Sequence, residues 1–448
     1  MRFRYLPLLI VALTTPACTQ QVARDTPVAP SSTPSASQVT STFAQLNALR
    51  RQSRTLKTPL AEYAFYLDHY EHSQGAVRGF LAQVLASLEA ELGAYEQAVR
   101  RYPQQPLLRS PSPPLPGAEN FHASDAATAI AGLARDRRIV VINEAHHVGQ
   151  TRLLSRALLP RLRALGFTHF AAEGLDERDR ELGERGYPIK ASGPYVNDPL
   201  YGEIIRTALK LGFIVVPYDS TADDADVAMR EEDQAVHLVD RVFRAQPDAR
   251  LFVHAGYAHI HKRADYFYTD TMAMRLKRKT GFDPLSIDQT VLRPIAPGLE
   301  YKDYRSLVQR FAPTAPAVLL AHGDRVAWSL EPEFYDVSVI LPPPRLLHGR
   351  PDWLRDDGRI EVAIDVNLQP TSLPCVVEAR YAAESGIAVP ADRLLIEHAD
   401  DQVVLFLRPG DYRLDALRVD GRIFFTQRLH VDPAPATSPR LPKPPASR

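Results

Sequence analysis

Seven short apolar runs restrict this chain more than any other feature of it. They are IVVI (139–142), HFAA (169–172), FIVVP (213–217), LFVH (251–254), LSID (285–288), AVLLA (317–321) and VSVIL (337–341). Runs of four or five residues bounded by polar and turn residues read as strands rather than as helices. The first four begin about 25 to 45 residues apart with amphipathic stretches between them, which suits βαβ units and a parallel sheet buried on both faces. One such stretch, from Thr151 to Leu165, places Leu154, Leu158, Leu162 and Leu165 on one face, and its Pro160 predicts a kink. The expected fold class is α/β, a parallel-sheet core flanked by helices over residues 119–345.

Two flanking regions differ in pattern. Residues 41–118 carry helical periodicity, with Phe80, Leu81, Val84, Leu85, Leu88 and Leu92 on one face; this predicts a helical hairpin that ends at the breaker RSPSPPLPG. After Pro342-Pro343-Pro344 come RIEVAIDV, PCVVEARYA, DRLLIEHA, QVVLFLRPGDYRLDALRV and RIFFTQRLHV. These alternating segments predict a small antiparallel β domain, sandwich-like, over residues 346–432. A Pro-rich tail, 433–448, is expected to be disordered.

The N-terminus reads as a targeting segment. Arg2 and Arg4 precede a short apolar stretch, and Thr15-Pro16-Ala17 leads into Cys18. This layout predicts a bacterial lipoprotein signal over residues 1–18, with lipid on Cys18 and a flexible tether over 19–40. Thr19, rather than aspartate, after the cysteine favours the outer membrane. The chain is thus expected in the cell envelope, facing the periplasm and joined to the membrane by a lipid anchor. The other cysteine, Cys375, then has no partner for a disulfide, so the core must be large enough to hold unaided. Lys plus Arg equals Asp plus Glu at 53 each, and zero net charge leaves no bulk field to draw nucleic acid.

Ligands of open α/β sheets bind where the strands end, so the residues following each run locate a site. After the first come Asn143, Glu144, His146 and His147; after the second, Glu173; after the third, Tyr218 and Asp219; after the fourth, Gly256, Tyr257 and His259. Solvated charges cap single strands routinely, but titratable groups at four successive strand ends predict a pocket. His254, just before the bend, reads as a core histidine, and His261 as a solvated helix start. In an extended segment Glu144 and His146 share a face and His147 points away; if the chain has already turned, His147 takes that place. Imidazoles with carboxylates can ligate a divalent metal such as Zn, Mn or Fe, with His146, Glu173 and His259 the candidate set, or can act without metal as a carboxylate-oriented base on water.

These elements resemble the superfamily that joins erythromycin esterases, ChaN-like haem-binding lipoproteins and Tiki/TraB proteins. Its members carry Gly-Glu-x-His after the first strand, a glutamate after the second and Gly-x-x-His after a later one. Here these are Asn143-Glu144-Ala145-His146, Glu173 and Gly256-Tyr257-Ala258-His259. AMREEDQAVHLVDRVF resembles the Arg-Glu helix of the esterases, which implies roles for Arg230 and Glu231. The esterase spacing implies His147 as the histidine and Arg156 as an anion-holding arginine nine residues on. Asn143 replaces the first glycine, and asparagine is the next residue best able to adopt unusual φ. Gly256-Tyr257 stands where esterases have His-Asn, which shifts the match towards the Gly-x-x-His branches.

Two functions follow as expectations. One is a hydrolase of an ester or peptide-like bond, with Glu144, His146, His147, Glu173 and His259 as its catalytic set. Arg156, Asp219, Arg230, Glu231 and Tyr257 would then bind the small-molecule or peptide substrate. The other, implied by the ChaN-like branch, is a haem- or iron-binding lipoprotein with Tyr218 or Tyr257 on the iron. An inactive binding protein that works through its β domain is a third expectation.

Overall fold

The computed structural model of the protein describes residues 36–103, 114–221, 226–264, 269–295, 300–301, 303–323 and 325–433. The expected signal segment with Cys18 and nearly all of the Pro-rich tail lie outside the described residues. All seven apolar runs form strands of one eight-stranded sheet. The strands are β1 (Phe121–Asp125), β2 (Ile139–Glu144), β3 (His169–Ala172), β4 (Ile214–Pro217), β5 (Leu251–Gly256), β6 (Leu285–Asp288), β7 (Ala317–Ala321) and β8 (Val337–Ile340). Their order across the sheet is β1-β7-β8-β6-β2-β5-β3-β4. From β8 to β4 every pairing is parallel, but β7 runs antiparallel to both of its neighbours. The sheet is therefore mixed at one edge. β1, with sequence FHASD and mostly exposed residues, has no apolar alternation to announce it.

The period of two along β2 divides the core. Val140 and Ile142 join one apolar cluster with Ile130, Leu154, Leu158, Leu162 and Ile204. Those last residues come from helices α5 (Ala126–Leu133) and α6 (Gln150–Ala164), and from α8 (Pro199–Lys210), which follows the single-turn α7 (Leu182–Arg185). Ile139 and Val141 join the opposite cluster with Ala235, Leu238, Met272 and Leu276, carried by α9 (Val227–Leu238) and α10 (Met272–Thr280). A last helix, α11 (Tyr304–Phe311), precedes β7. The helix starts follow local chemistry: Asp198 caps α8 by accepting from the amides of Leu200 and Tyr201, with Pro199 in the first turn, and Asp226 caps α9. α6 runs unbroken through Pro160.

The flanking regions are built into this core rather than appended to it. The N-terminal region holds four helices where a hairpin was expected: α1 (Ala36–Ser53), α2 (Pro59–Glu71), α3 (Gly75–Glu91) and α4 (Tyr95–Arg101). At the C-terminus a four-stranded antiparallel sheet and a two-stranded one share an apolar cluster that includes Val362, Val377, Leu405 and Leu414. The other face of the larger sheet gives Val376 and Leu395 to the cluster of Leu60, Tyr63, Leu81 and Leu85 on the helices. At the junction lies Arg393, fully buried; its Nε donates to Glu378 (2.7 Å) and its Nη1 to the backbone carbonyls of Glu91 (3.0 Å) and Asn197 (3.3 Å). One guanidinium ties α3, the loop before α8 and the β domain together. A buried charge bonded to all three tolerates little movement of any of them.

Candidate active site

The sheet order makes neighbours of the four strand ends read from the sequence, and it inserts β5 between β2 and β3. Glu144 and Gly256 are register partners, as are Ala172 and His254, so Glu144 and Glu173 flank Gly256. An alanine Cβ at Gly256 would stand 2.6 Å from Cε1 and Nε2 of His146 and 2.9 Å from Oε2 of Glu173. The glycine is required by this close approach, not by backbone freedom, since its φ is −78°.

Both carboxylate oxygens of Glu144 are engaged. Its Oε1 meets His146 Nδ1 at 2.8 Å, and its Oε2 accepts from Arg152 Nε at 2.9 Å. Arg152 in turn reaches Asp198 at 2.8 Å and the His146 carbonyl at 2.8 Å. Burial opposes ionisation of Glu144, but Arg152, His146 and His254 overcome it and hold the carboxyl well below its ordinary value. His146 thus has one nitrogen fixed by a carboxylate, and its ring stacks on Tyr195 with centroids 4.1 Å apart.

Glu173 is equally committed. Its Oε1 accepts from Arg230 Nη2 (2.7 Å), and its Oε2 takes the Gly256 amide. Arg230 also forks onto Asp219 with two 3.0 Å bonds, and Gln234 donates to the same carboxylate at 2.9 Å. Glu231, the next residue on α9, bonds His259 Nδ1 and the Met272 amide. His259 Nε2 stands 3.6 Å from Glu173 Oε1. Burial disfavours its charge, but Glu231 and Glu173 outweigh that and raise its pKa.

The two adjacent histidines separate cleanly. His146 lines a pocket of about 670 Å³ together with Glu173, Tyr195, Arg230 and Tyr257. His147 is fully buried and does not line it; the ring stacks on Tyr102 at 3.7 Å, with Nδ1 3.1 Å from Tyr257 Oη and Nε2 3.3 Å from Arg293 Nη2. Burial and the Arg293 charge push its pKa well down. Tyr257 holds a positive φ of 39°, and Asn143 Nδ2 bonds its carbonyl at 3.1 Å. Asn143 serves as a buried brace rather than a hinge: its side chain also meets Asp288 (2.8 Å) and the Gln289 amide (2.9 Å).

Several expectations need correction. Arg156 does not reach the site; its Nε donates to Thr207 on α8 (2.8 Å), and it lies among Arg408, Glu203 and Arg359. The arginine at the site is Arg152, one turn earlier. His261, expected in solvent, is fully buried against Tyr335 (2.7 Å). Tyr218 is fully buried with its hydroxyl 3.3 Å from the His254 carbonyl, so it offers no oxygen to a ligand in the pocket. His254 is the core histidine expected, bonded to Ser155 (2.9 Å), although it also stands 3.4 Å from Glu144. Sequence reading passed over Arg152, Asp198, Tyr195 and Arg293. Only Arg152 carried a signal, as the first arginine of the helix following Glu144.

The candidate metal ligands already have partners among the described residues. Glu173 Oε1 accepts from Arg230 and its Oε2 from the Gly256 amide, and His259 Nδ1 is bonded to Glu231. Among the described residues, no group of three or more His, Cys, Asp or Glu side chains is arranged to hold a metal ion.

No protein-family profile matches the chain, and no curated protein matches it. Among solved structures it is similar to the type III effector HopBA1, at 15% identity and TM-score 0.27 over 38% of this chain and 87% of that one. Two structures described as bacterial protein toxins are similar at 14% and 15% identity, with TM-scores of 0.28 and 0.26 and 37% of each of those chains covered. Likeness at these scores carries no inference about activity.

Proposed function

We propose that this chain is a metal-independent hydrolase that activates water at His146. One observation carries the reading: His146 Nδ1 is held at 2.8 Å by a carboxylate that Arg152 keeps ionised, on the wall of the pocket. A carboxylate on Nδ1 fixes the tautomer that leaves Nε2 as the acceptor and stabilises the imidazolium formed when Nε2 takes a proton from water. Arg230 lines the same pocket and supplies fixed positive charge near a developing oxyanion. Tyr195, whose hydroxyl burial and the Glu173 charge keep protonated, stacks on the ring and lines the same pocket, where it serves as a hydroxyl donor. Glu173 and Asp219 position Arg230; Glu231 and His259 position Glu173. The substrate class is an ester or peptide-like bond. The N-terminal segment supports an envelope lipoprotein, and the order of the motifs supports membership of the erythromycin esterase, ChaN-like and Tiki superfamily.

The test is turnover of activated 4-nitrophenyl esters by the purified chain. His146→Ala is expected to lower kcat by about 10²- to 10⁴-fold, the usual contribution of a general base, whereas His147→Ala keeps turnover and loses stability. Equal loss in both variants would overturn the assignment of roles. Stoichiometric metal that disappears from the His146→Ala, His259→Ala double variant would replace the metal-independent reading. A Soret band with haemin that Tyr257→Phe abolishes would favour a haem carrier.

A further inference from the structure

The pocket that begins at His146 continues to the N-terminal helices, where Arg50, Arg54, Lys57, Glu62 and Glu91 line its outer part. Its charges can be paired off one by one. Among the lining carboxylates, Glu62 meets Lys190 (3.2 Å), Glu91 meets Arg393 (3.4 Å), Glu173 meets Arg230 (2.7 Å), Asp198 meets Arg152 (2.8 Å), and Asp176 pairs with Arg178. Every one of these acids has a cationic partner. Three lining cations, Arg50, Arg54 and Lys57, have no carboxylate partner among the described residues. The Arg50 guanidinium lies over the Phe80 ring, 5.0 Å from its centroid, and one of its terminal nitrogens is buried with no hydrogen-bond acceptor. A buried donor without an acceptor is costly, and burial depresses the Arg50 pKa. Favourable charge at the last turn of α1 accounts for basic residues there, but not for a donor left orphaned beneath two further unpaired cations.

We infer that the substrate carries an anionic group, a carboxylate or a phosphate, which Arg50, Arg54 and Lys57 bind at the outer end of the pocket while the scissile bond lies at His146. This rests on the hydrolase reading and adds to it a substrate class: an elongated ester or amide whose far end is acidic. It also assigns work to the N-terminal helices. The strand ends would perform the chemistry, and α1 with the turn into α2 would select the molecule. Positive charge left over inside a partly enclosed cleft also raises the local concentration of such an anion.

The experiment compares 4-nitrophenyl esters of equal chain length that end in a carboxylate, a phosphate or an uncharged methyl ester, on the full chain. The expected result is a lower KM for one or both anionic esters than for the neutral one, with a preference that shrinks as salt is added. In Arg54→Gln, Lys57→Gln the ratio of neutral to anionic KM should fall by roughly fivefold, as suits two partly exposed ion pairs. Both positions are at the surface, so the fold has little to lose. Equal KM values for the charged and neutral esters, or an anionic preference untouched in the double variant, would overturn the inference while leaving hydrolysis at His146 intact. A separate binding titration of a non-hydrolysable amide dicarboxylate and of its phosphate analogue guards the other side. Binding weakened by Arg54→Gln, Lys57→Gln in a chain that hydrolyses no ester would sustain the anion site and refute the hydrolase.

Discussion

Gly256→Ala isolates the geometry on which the site depends. The glycine has φ −78° and ψ 141°, a conformation alanine adopts freely, although the new Cβ would come within 2.9 Å of Glu173 Oε2, the acceptor of its amide. The substitution therefore adds one methyl and nothing else. That methyl would stand 2.6 Å from two atoms of the His146 ring, whereas carbon contacts settle at roughly 3.5–4.0 Å. The ring must retreat by about 1 Å, and it has little room to do so. Tyr195 stacks on it at 4.1 Å, and Glu144 holds Nδ1 at 2.8 Å. A displacement of about 1 Å at a reacting group costs roughly 10²-fold in rate, and an extra methyl in a packed site costs about 1–3 kcal/mol of stability. The assay pairs kcat/KM on an activated ester with urea denaturation of the same variant. Removing the ring as well, in His146→Gly, Gly256→Ala, should return about 1 kcal/mol of that stability without returning activity, because coupling of this size is expected between touching residues. Turnover within threefold of the parent in Gly256→Ala would refute the claim that His146 must sit against β5.

Other outcomes follow from the same network. Arg152→Met strips the cation from Glu144 and Asp198, both buried, and is expected to cost about 3–5 kcal/mol in urea denaturation, as when one partner leaves a buried ion pair. Stability should be greatest between mildly acidic and neutral pH. Glu144 and Glu173 are held below their ordinary value of 4.5, so what they contribute is complete above that value and lost as pH falls through their folded pKa values. His259 is held above its ordinary 6.5, so its contribution is complete below 6.5 and lost as pH rises through its folded pKa. Denaturation midpoints measured across pH should therefore show a shallower acid limb in Glu144→Gln, with Glu173 still contributing, and a shallower alkaline limb in His259→Gln; unchanged limbs would contradict the assignment.

What the sequence disclosed and what it concealed divide along physical lines. Six of the seven apolar runs became strands because a strand covered on both faces must be apolar throughout, and that requirement is local; the remaining one, β4, lies at the edge opposite β1 with Ile214 exposed. β1 escaped notice because an edge strand with mostly exposed residues is under no such requirement. The reversal of β7 was hidden for a related reason: strand direction is decided by how connections cross the sheet, not by the residues of the run. The N-terminal helices and the C-terminal antiparallel sheets were legible, but their junction at Arg393 was not. Its partners, Glu91, Asn197 and Glu378, are scattered over the whole chain, and no spacing rule reveals such a meeting.

The doubled histidine shows the same limit at the site. Period-two alternation put Glu144 and His146 on one face, and that pairing is the one found, even though the strand ends at Glu144 and the chain turns at His146. What excludes His147 is Arg293, which follows β6, and Tyr102, which follows α4; neither is near it in sequence. The two remaining imidazoles then divide by what surrounds their carboxylates. The carboxylate that orients His146 also accepts from Arg152. His259 lies between two carboxylates, Glu231 and Glu173, which favour its charged form. The two histidine–carboxylate pairs thus differ in what stands beside them: Arg152 bonds Glu144, whereas Glu231 takes the Met272 amide.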